Sequence, residues 1–222
     1  SAMESMVRDM IDRQSNPTIA PYAKDTESIL RITASAKTTE EAEKIIEPIA
    51  EEIYRRFGDS VYAEGETSIQ ETVAKILIDK KVTIAVAESC TGGLVAAKLI
   101  EYPGISEVLP EGAVTYSNEA KKRRLGVKDE TLSAYGAVSA ETAAEMAKGI
   151  AMTSGADIGV STTGVAGPGP SEGKPEGLVY VGVYIGGKSY VKELHLAGKR
   201  NVIRERAAYS ALDFLRRKLI LD

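Results

Sequence analysis

The chain holds one cysteine and one histidine in 222 residues, and no apolar run approaches the roughly 20 residues that span a bilayer. The single cysteine, Cys90, excludes an internal disulfide and any cysteine-rich metal site, and it suits a reducing, cytoplasmic setting. The single histidine, His195, lies in residues 189–196, which read as a strand. A lone strand histidine is more often packed than catalytic. A serine or cysteine nucleophile here would therefore draw its base from lysine or tyrosine rather than from histidine. No His/Asp/Glu grouping has metal-ligand spacing. No Gly-Lys-Ser/Thr closes a phosphate-binding Walker loop, and no Gly-x-Gly-x-x-Gly marks a dinucleotide fingerprint. The start, Ser1-Ala2-Met3-Glu4, is polar and acidic and does not read as a secretory leader. There is no internal repeat.

What remains is an ordinary globular composition, 43% apolar and 27% charged, with an uneven distribution of charge. Residues 1–66 carry 14 Asp/Glu and 8 Lys/Arg, a net of −6, whereas residues 67–222 carry 18 and 20, a net of +2. This places a boundary near Glu64-Gly65-Glu66 and two domains at 3–66 and 67–222. In the first, a helix is expected over 3–11, then a loop containing Pro17 and Pro21, and a strand over 29–34 in which Leu30, Ile32 and Ala34 share a face. Thr38 to Glu41 reads as a capping box. It opens a helix with Ile46, Ile49, Ile53 and Phe57 on one stripe, ended by Gly58. A short strand at Val61-Tyr62 would follow.

The second part alternates helical and extended patterns. Helices are expected over 69–80 with Ser68 as cap, 91–101, 118–125, 140–153 and 201–220. Strands are expected over 82–87, 112–116 and 158–162, and 178–185 with 190–196 form a hairpin around Gly186-Gly187. The fold class is α/β, a mixed sheet with helices on both faces.

Three polar clusters end predicted strands: Glu88-Ser89-Cys90-Thr91-Gly92-Gly93, Thr115-Tyr116-Ser117-Asn118 with Lys121, and residues 161–168. Neighbouring parallel strands would bring these ends to one rim, where open α/β sheets bind ligands. A helix start after Gly92-Gly93 would offer unpaired N–H groups to an anion. Ser89 is a weak nucleophile that needs a base. A desolvated lysine can serve, and a tyrosine can relay a proton. By spacing alone, Lys121 belongs to the solvated basic run 121–124. Cys90 is the rival nucleophile, with a packing role as its alternative. Arg200, Arg204 and Arg206 open the last helix and suit phosphate contact or a surface face.

Five ordered blocks give these clusters a context. They are Ala-Glu-Ser-Cys-Thr-Gly-Gly at 87–93, Val-Thr-Tyr-Ser-Asn-Glu-Ala-Lys at 114–121, Gly-Ala-Val-Ser at 136–139, Thr-Gly-Val-Ala-Gly-Pro at 163–168 and Lys-Pro-Glu-Gly at 174–177. Together they closely resemble the C-terminal domain of the CinA competence/damage-inducible family, the nicotinamide-nucleotide amidase domain. Residues 15–24 and their surroundings resemble the family's KH-like middle domain, a small α/β unit. The resemblance implies deamidation of nicotinamide mononucleotide to nicotinate mononucleotide and ammonia, a step of pyridine nucleotide salvage, with no metal or organic cofactor. It implies Ser89 as nucleophile with Tyr116 and Lys121 activating it, which reverses the spacing-based reading of Lys121. The substrate-binding set it suggests is Glu88, Thr91, Gly92, Gly93, Thr163, Gly164 and Arg204. It also implies a cytoplasmic homodimer. The alternative is a nucleotide-binding or regulatory module without turnover. RNA-binding KH folds use a Gly-x-x-Gly loop. Residues 1–66 have none and are acidic, which disfavours nucleic acid as a partner.

Overall fold

In a computed structural model, residues 2–24 and 26–221 are described, and Ser1 of the predicted start lies outside them. The chain divides into two compact units, Ser1–Glu64 and Gly65–Asp222. The smaller begins with two short helices, α1 (Ala2–Met6) and α2 (Arg8–Arg13), where one helix is expected from the sequence. Strands β1 (Thr18–Ala23) and β2 (Ser28–Thr33) form an antiparallel ribbon in which Pro21 opposes Leu30. β1 replaces the expected proline loop. A two-stranded ribbon leaves each strand a free edge, where proline is tolerated. Asn16 extends the ribbon with its side chain, donating to Ser35 O at 2.9 Å and accepting from Ser35 N at 2.8 Å.

Helix α3 (Thr39–Phe57) starts where Thr38 accepts from the Glu41 amide. The Glu41 carboxylate reaches back to the Lys37 amide rather than to Thr38, so the capping box is offset by one residue. On its apolar stripe Ile53 is fully buried, and Ile46, Ile49 and Phe57 are half-buried. The expected strand at Val61-Tyr62 is absent: a 3₁₀ turn over Gly58–Ser60 leads into irregular chain. Tyr62 is anchored instead through its hydroxyl, which donates to Glu27.

The larger unit opens with α4 (Ile69–Lys80), whose cap is a complete reciprocal box between Ser68 and Glu71. There follow β3 (Ile84–Glu88), α5 (Leu94–Ile100), β4 (Glu111–Val114), α6 (Asn118–Leu125), α7 (Asp129–Tyr135), α8 (Ala140–Ser154), β5 (Ile158–Gly164), β6 (Leu178–Ile185), β7 (Lys188–His195) and α9 (Arg200–Leu221). α7 has no counterpart in the sequence-based expectation. Its N-cap, Lys128, contributes no side-chain bond, so the usual start signal is missing. Glu145 of α8 secures it, accepting from the Lys128 amide and the Thr131 hydroxyl.

The sheet order is β4-β3-β5-β6-β7. β3 runs parallel to β4 and β5, and β6 and β7 add antiparallel pairing. The sheet is therefore mixed. All five residues of β3 are buried, as an inner strand covered on both faces requires. Ala85 and Ala87 pack with Met146, Ile150, Leu125 and Val127 on the α6/α8 face, and α5 and α9 supply the opposite layer. α8 lies so close that a Cβ on Gly159 would sit 1.9 Å from Ala147 O. Ser161 Oγ donates to Ala143 O at 2.6 Å across the same contact.

Chain direction follows from this order. From β3 the chain passes through α5 to β4 on one side, then through α6, α7 and α8 to β5 on the other. The carboxyl ends of β4, β3 and β5 thus share one rim, with β3 at the switch in strand order. No helix among the described residues is long and apolar enough to cross a membrane.

Candidate active site

At the rim, β3 delivers Ser89 one residue beyond its last strand residue. The Ser89 amide donates to Thr162 O at 2.9 Å, continuing the ladder to β5. Gly92 and Gly93 then take φ of 62° and 99°, a left-handed path open to glycine at little cost, and α5 begins. The turn is closed from within by Glu88, only 1% exposed. Its Oε2 accepts from Thr91 Oγ1 at 2.6 Å, Gly93 N at 2.9 Å and Val95 N at 3.1 Å, and its Oε1 accepts from Ala96 N at 2.9 Å. The N-terminus of α5, expected to await an external anion, is therefore filled by a carboxylate of its own chain.

Several of the expected substrate contacts belong to this same scaffold. Thr91 is fully buried, and its hydroxyl meets both Glu88 and Thr162 Oγ1. Thr163 is 1% exposed and donates to Ala137 O at 2.7 Å. Arg204 reaches from α9 to the turn, donating through Nε to Cys90 O at 3.2 Å and through Nη2 to Thr91 O at 2.8 Å. Gly92 lies beneath that guanidinium, since a Cβ there would come 3.3 Å from Nη2. Glu88, Thr91 and Arg204 thus hold the turn, and Thr163 ties β5 to Ala137. Gly164 lines the adjoining cavity.

Lys121 is the residue the fold treats most differently from its spacing. It leaves the basic run and points inward from the first turns of α6, 1% exposed. Its Nζ lies 3.2 Å from Ser89 Oγ, 3.0 Å from Thr115 O and 3.1 Å from Tyr116 O. The Ser117 cap on Ala120 N starts α6 just ahead of Lys121. Burial pushes the Lys121 amine below the ordinary lysine range, and Cys90 and Glu172 oppose that only in part. Lys122 shows the contrast: Asp129 and Glu119 hold its ammonium in solvent at 2.8 and 2.7 Å.

Tyr116 sits near the pair in two ways. Its carbonyl takes one Lys121 proton, whereas its side chain is 62% exposed and its hydroxyl accepts from Arg200 Nη2 at 3.2 Å. The phenol makes no hydrogen bond to Ser89 or Lys121. Cys90 packs with Ala166, Val179, Ile203 and Ala207, and burial pushes its thiol up to about 12. It is therefore poorly suited to form the thiolate that a nucleophile needs. His195 departs from the packed role expected of it. It is exposed on β7, with Nε2 2.7 Å from Glu193 Oε1.

A cavity of about 300 Å³ opens at the rim, lined by Cys90, Tyr116, Gly164, residues 165–171 and Arg200. Its walls thus include the immediate neighbour of Ser89 and the residue whose carbonyl holds Lys121. Arg200, which the sequence offers only as one of three arginines, projects at its edge and donates to Gly167 O. Among the described residues, no group of His, Cys, Asp and Glu could hold a metal ion.

Residues 66–219 match the CinA C-terminal domain family, and residues 1–63 match the KH domain family of damage-inducible protein CinA. The chain is 57% identical over 221 residues to a putative competence-damage inducible protein of Clostridium novyi (strain NT), covering 99% of this chain and 53% of that protein. A protein of the same description from Clostridium acetobutylicum is 58% identical over 221 residues, covering 99% of this chain and 54% of its own. The chain therefore spans about half the length of these relatives. Among solved structures, a competence-damaged protein (CinA) superfamily protein from Klebsiella pneumoniae 700603 is 34% identical, with a TM-score of 0.68 over 69% of this chain and 97% of its own. The competence/damage inducible protein CihA from Agrobacterium tumefaciens is 38% identical, with a TM-score of 0.64 over 71% of this chain and 99% of its own.

Proposed function

Since the chain belongs to the CinA family and joins a CinA KH domain to a CinA C-terminal domain, we propose that its larger unit is an amidohydrolase acting on nicotinamide mononucleotide. The products are nicotinate mononucleotide and ammonia. The observation that carries the reading is the set of three oxygens around Lys121 Nζ. Two are carbonyls, which can only accept. A neutral amine has two N–H groups and one lone pair. With both protons on Thr115 O and Tyr116 O, its lone pair is left for the Ser89 hydroxyl proton. Burial favours that neutral form.

Ser89 Oγ then attacks the carboxamide carbon as its proton passes to Lys121 Nζ. Oxyanion charge would be met by the Cys90 and Thr91 amides, which take no part in the bonds that Glu88 and Ser89 O make with the rest of the turn. Lys121 returns the proton to the departing ammonia. Water cleaves the acyl-enzyme with the same amine as base. Tyr116 contributes its carbonyl to hold the amine and its ring to the cavity wall. Glu88, Thr91 and Arg204 position the turn, Thr163 anchors β5 to Ala137, Gly92 and Gly93 supply the turn's left-handed path, and Gly164, at the cavity wall, fits closely against β6.

Incubation with nicotinamide mononucleotide and measurement of ammonia tests this. Release by the wild-type chain and its loss in Ser89→Ala are expected. No release, or equal release by the variant, would sink the proposal. Calorimetric binding without product would favour a nucleotide-binding module instead.

A further inference from the structure

We infer that Arg200 reads the phosphate of the substrate and sets a preference for a nicotinamide nucleotide over the corresponding nucleoside. The inference rests on the amidase reading for the identity of the substrate, but the placement of charge around the cavity argues it independently. A mononucleotide needs one cation or amide cluster for its phosphate. The helix start nearest the nucleophile is closed, because Glu88 occupies the amides of Gly93, Val95 and Ala96. Arg204 has all three guanidinium nitrogens engaged, with Cys90 O, Asn201 Oδ1 and Thr91 O, and does not line the cavity. Lys121 is buried against three oxygens. Lys98 is paired with Glu205 at 2.9 Å.

Arg200 differs from all of these. Among the described residues lining the cavity, it carries the one charged side chain. Its bonds to Gly167 O and Tyr116 hydroxyl fix the guanidinium between the two walls. They use two of its five N–H groups and leave three, enough for the paired contact that a phosphate accepts from arginine. Glu176, whose carboxylate takes the Gly169 amide, does not line the cavity. The cavity's 300 Å³ lies at the lower end of the range of small-molecule sites, about 300 to 1,000 Å³, which suits a mononucleotide better than a dinucleotide.

The test compares nicotinamide mononucleotide with nicotinamide riboside, which lacks the phosphate, on the full chain. For Arg200→Gln, kcat/KM on the mononucleotide should fall about ten- to hundred-fold, mostly through KM, while kcat/KM on the riboside stays within about twofold. Arg200→Lys, which keeps the charge without the fork, should lie between. Lys199→Gln removes a neighbouring exposed charge and should leave both substrates unchanged. An equal fall on both substrates in Arg200→Gln would mean that the residue only shapes the cavity, and no fall on either would mean that it touches nothing of the substrate. Either overturns the inference. If the wild-type chain hydrolyses neither compound, the amidase reading fails separately. Calorimetry then decides for Arg200: tighter binding of the mononucleotide than the riboside, lost in Arg200→Gln, upholds it, and equal binding to both proteins overturns it.

Discussion

Replacing Glu88 with glutamine removes a charge and no volume, and it should destabilise the larger unit substantially. Oε2 accepts three hydrogen bonds and Oε1 accepts one. A glutamine would keep its carbonyl at the Oε2 position and turn its NH₂ toward the Ala96 amide, donor against donor. The three retained bonds lose their charge assistance, and the Ala96 N–H is left unsatisfied in the interior. Relief from burying a carboxylate offsets part of this, leaving a net cost of about 3 kcal/mol. For a unit of this size that corresponds to a fall of about 6 to 12 °C in midpoint. Heating followed by far-ultraviolet circular dichroism reads it, with the larger unit's transition fitted separately because two units need not melt together. Glu88→Asp should also fall, because a chain one methylene shorter cannot reach all four donors. A shift under about 2 °C in Glu88→Gln, accompanied by a raised KM for nicotinamide mononucleotide, would refute the argument. Glu88 would then be a substrate contact, as the motif first suggested.

Two further outcomes follow from the buried amine and the buried thiol. With deprotonated Lys121 as the proposed base, kcat/KM for ammonia release should rise with pH and level off at a value below the ordinary lysine range, in the direction of its lowered pKa; Lys121→Met should cut kcat by about 10²- to 10⁴-fold with little change in midpoint, and a pH-independent profile would contradict the assignment. Cys90, with its thiol pushed up to about 12 by burial, should react with a thiol reagent slowly in buffer and quickly in denaturant, and Cys90→Ala should keep ammonia release within a few-fold; loss of activity comparable to Ser89→Ala would make the thiol the nucleophile.

Much of this rim is legible in the chain because the signals are local. Val82 to Val86 is β-branched at every position but Ala85, and it ends in a polar Gly-rich turn. That is enough to place Ser89 at a strand end. Ser68, read as a cap from sequence, accepts from the amide three residues on, and Ser117 and Ser139 do the same for α6 and α8. Lys121 is the instructive exception. Four consecutive basic residues look alike to any periodicity argument, and only the angle of α6 against β4 turns one inward and leaves Lys122 with Asp129 and Glu119. Resemblance to the family pointed to that lysine; spacing could not. β1 was hidden because proline is a poor strand former in isolation, and its ribbon partner is what makes it tolerable. α7 was hidden because its anchor, Glu145, lies on another helix. In both cases the missing information is tertiary.

The closing of α5 by Glu88 also explains why the cation for an anionic substrate would have to come from elsewhere. A short helix beside a nucleophile offers its free amides to any nearby anion, including a phosphate bound the wrong way round. Filling those amides with a carboxylate fixed at the end of β3 removes that competing seat and stiffens the turn that carries Ser89. At the turn the Glu88 carboxylate and the Arg204 guanidinium over Gly92 offset one another. Arg200, at the start of α9 and tied to the Gly167 carbonyl, is the charged side chain that lines the cavity itself. A substrate with a carboxamide at one end and a phosphate at the other would then be oriented by pairing its phosphate with Arg200, leaving the carboxamide for Ser89.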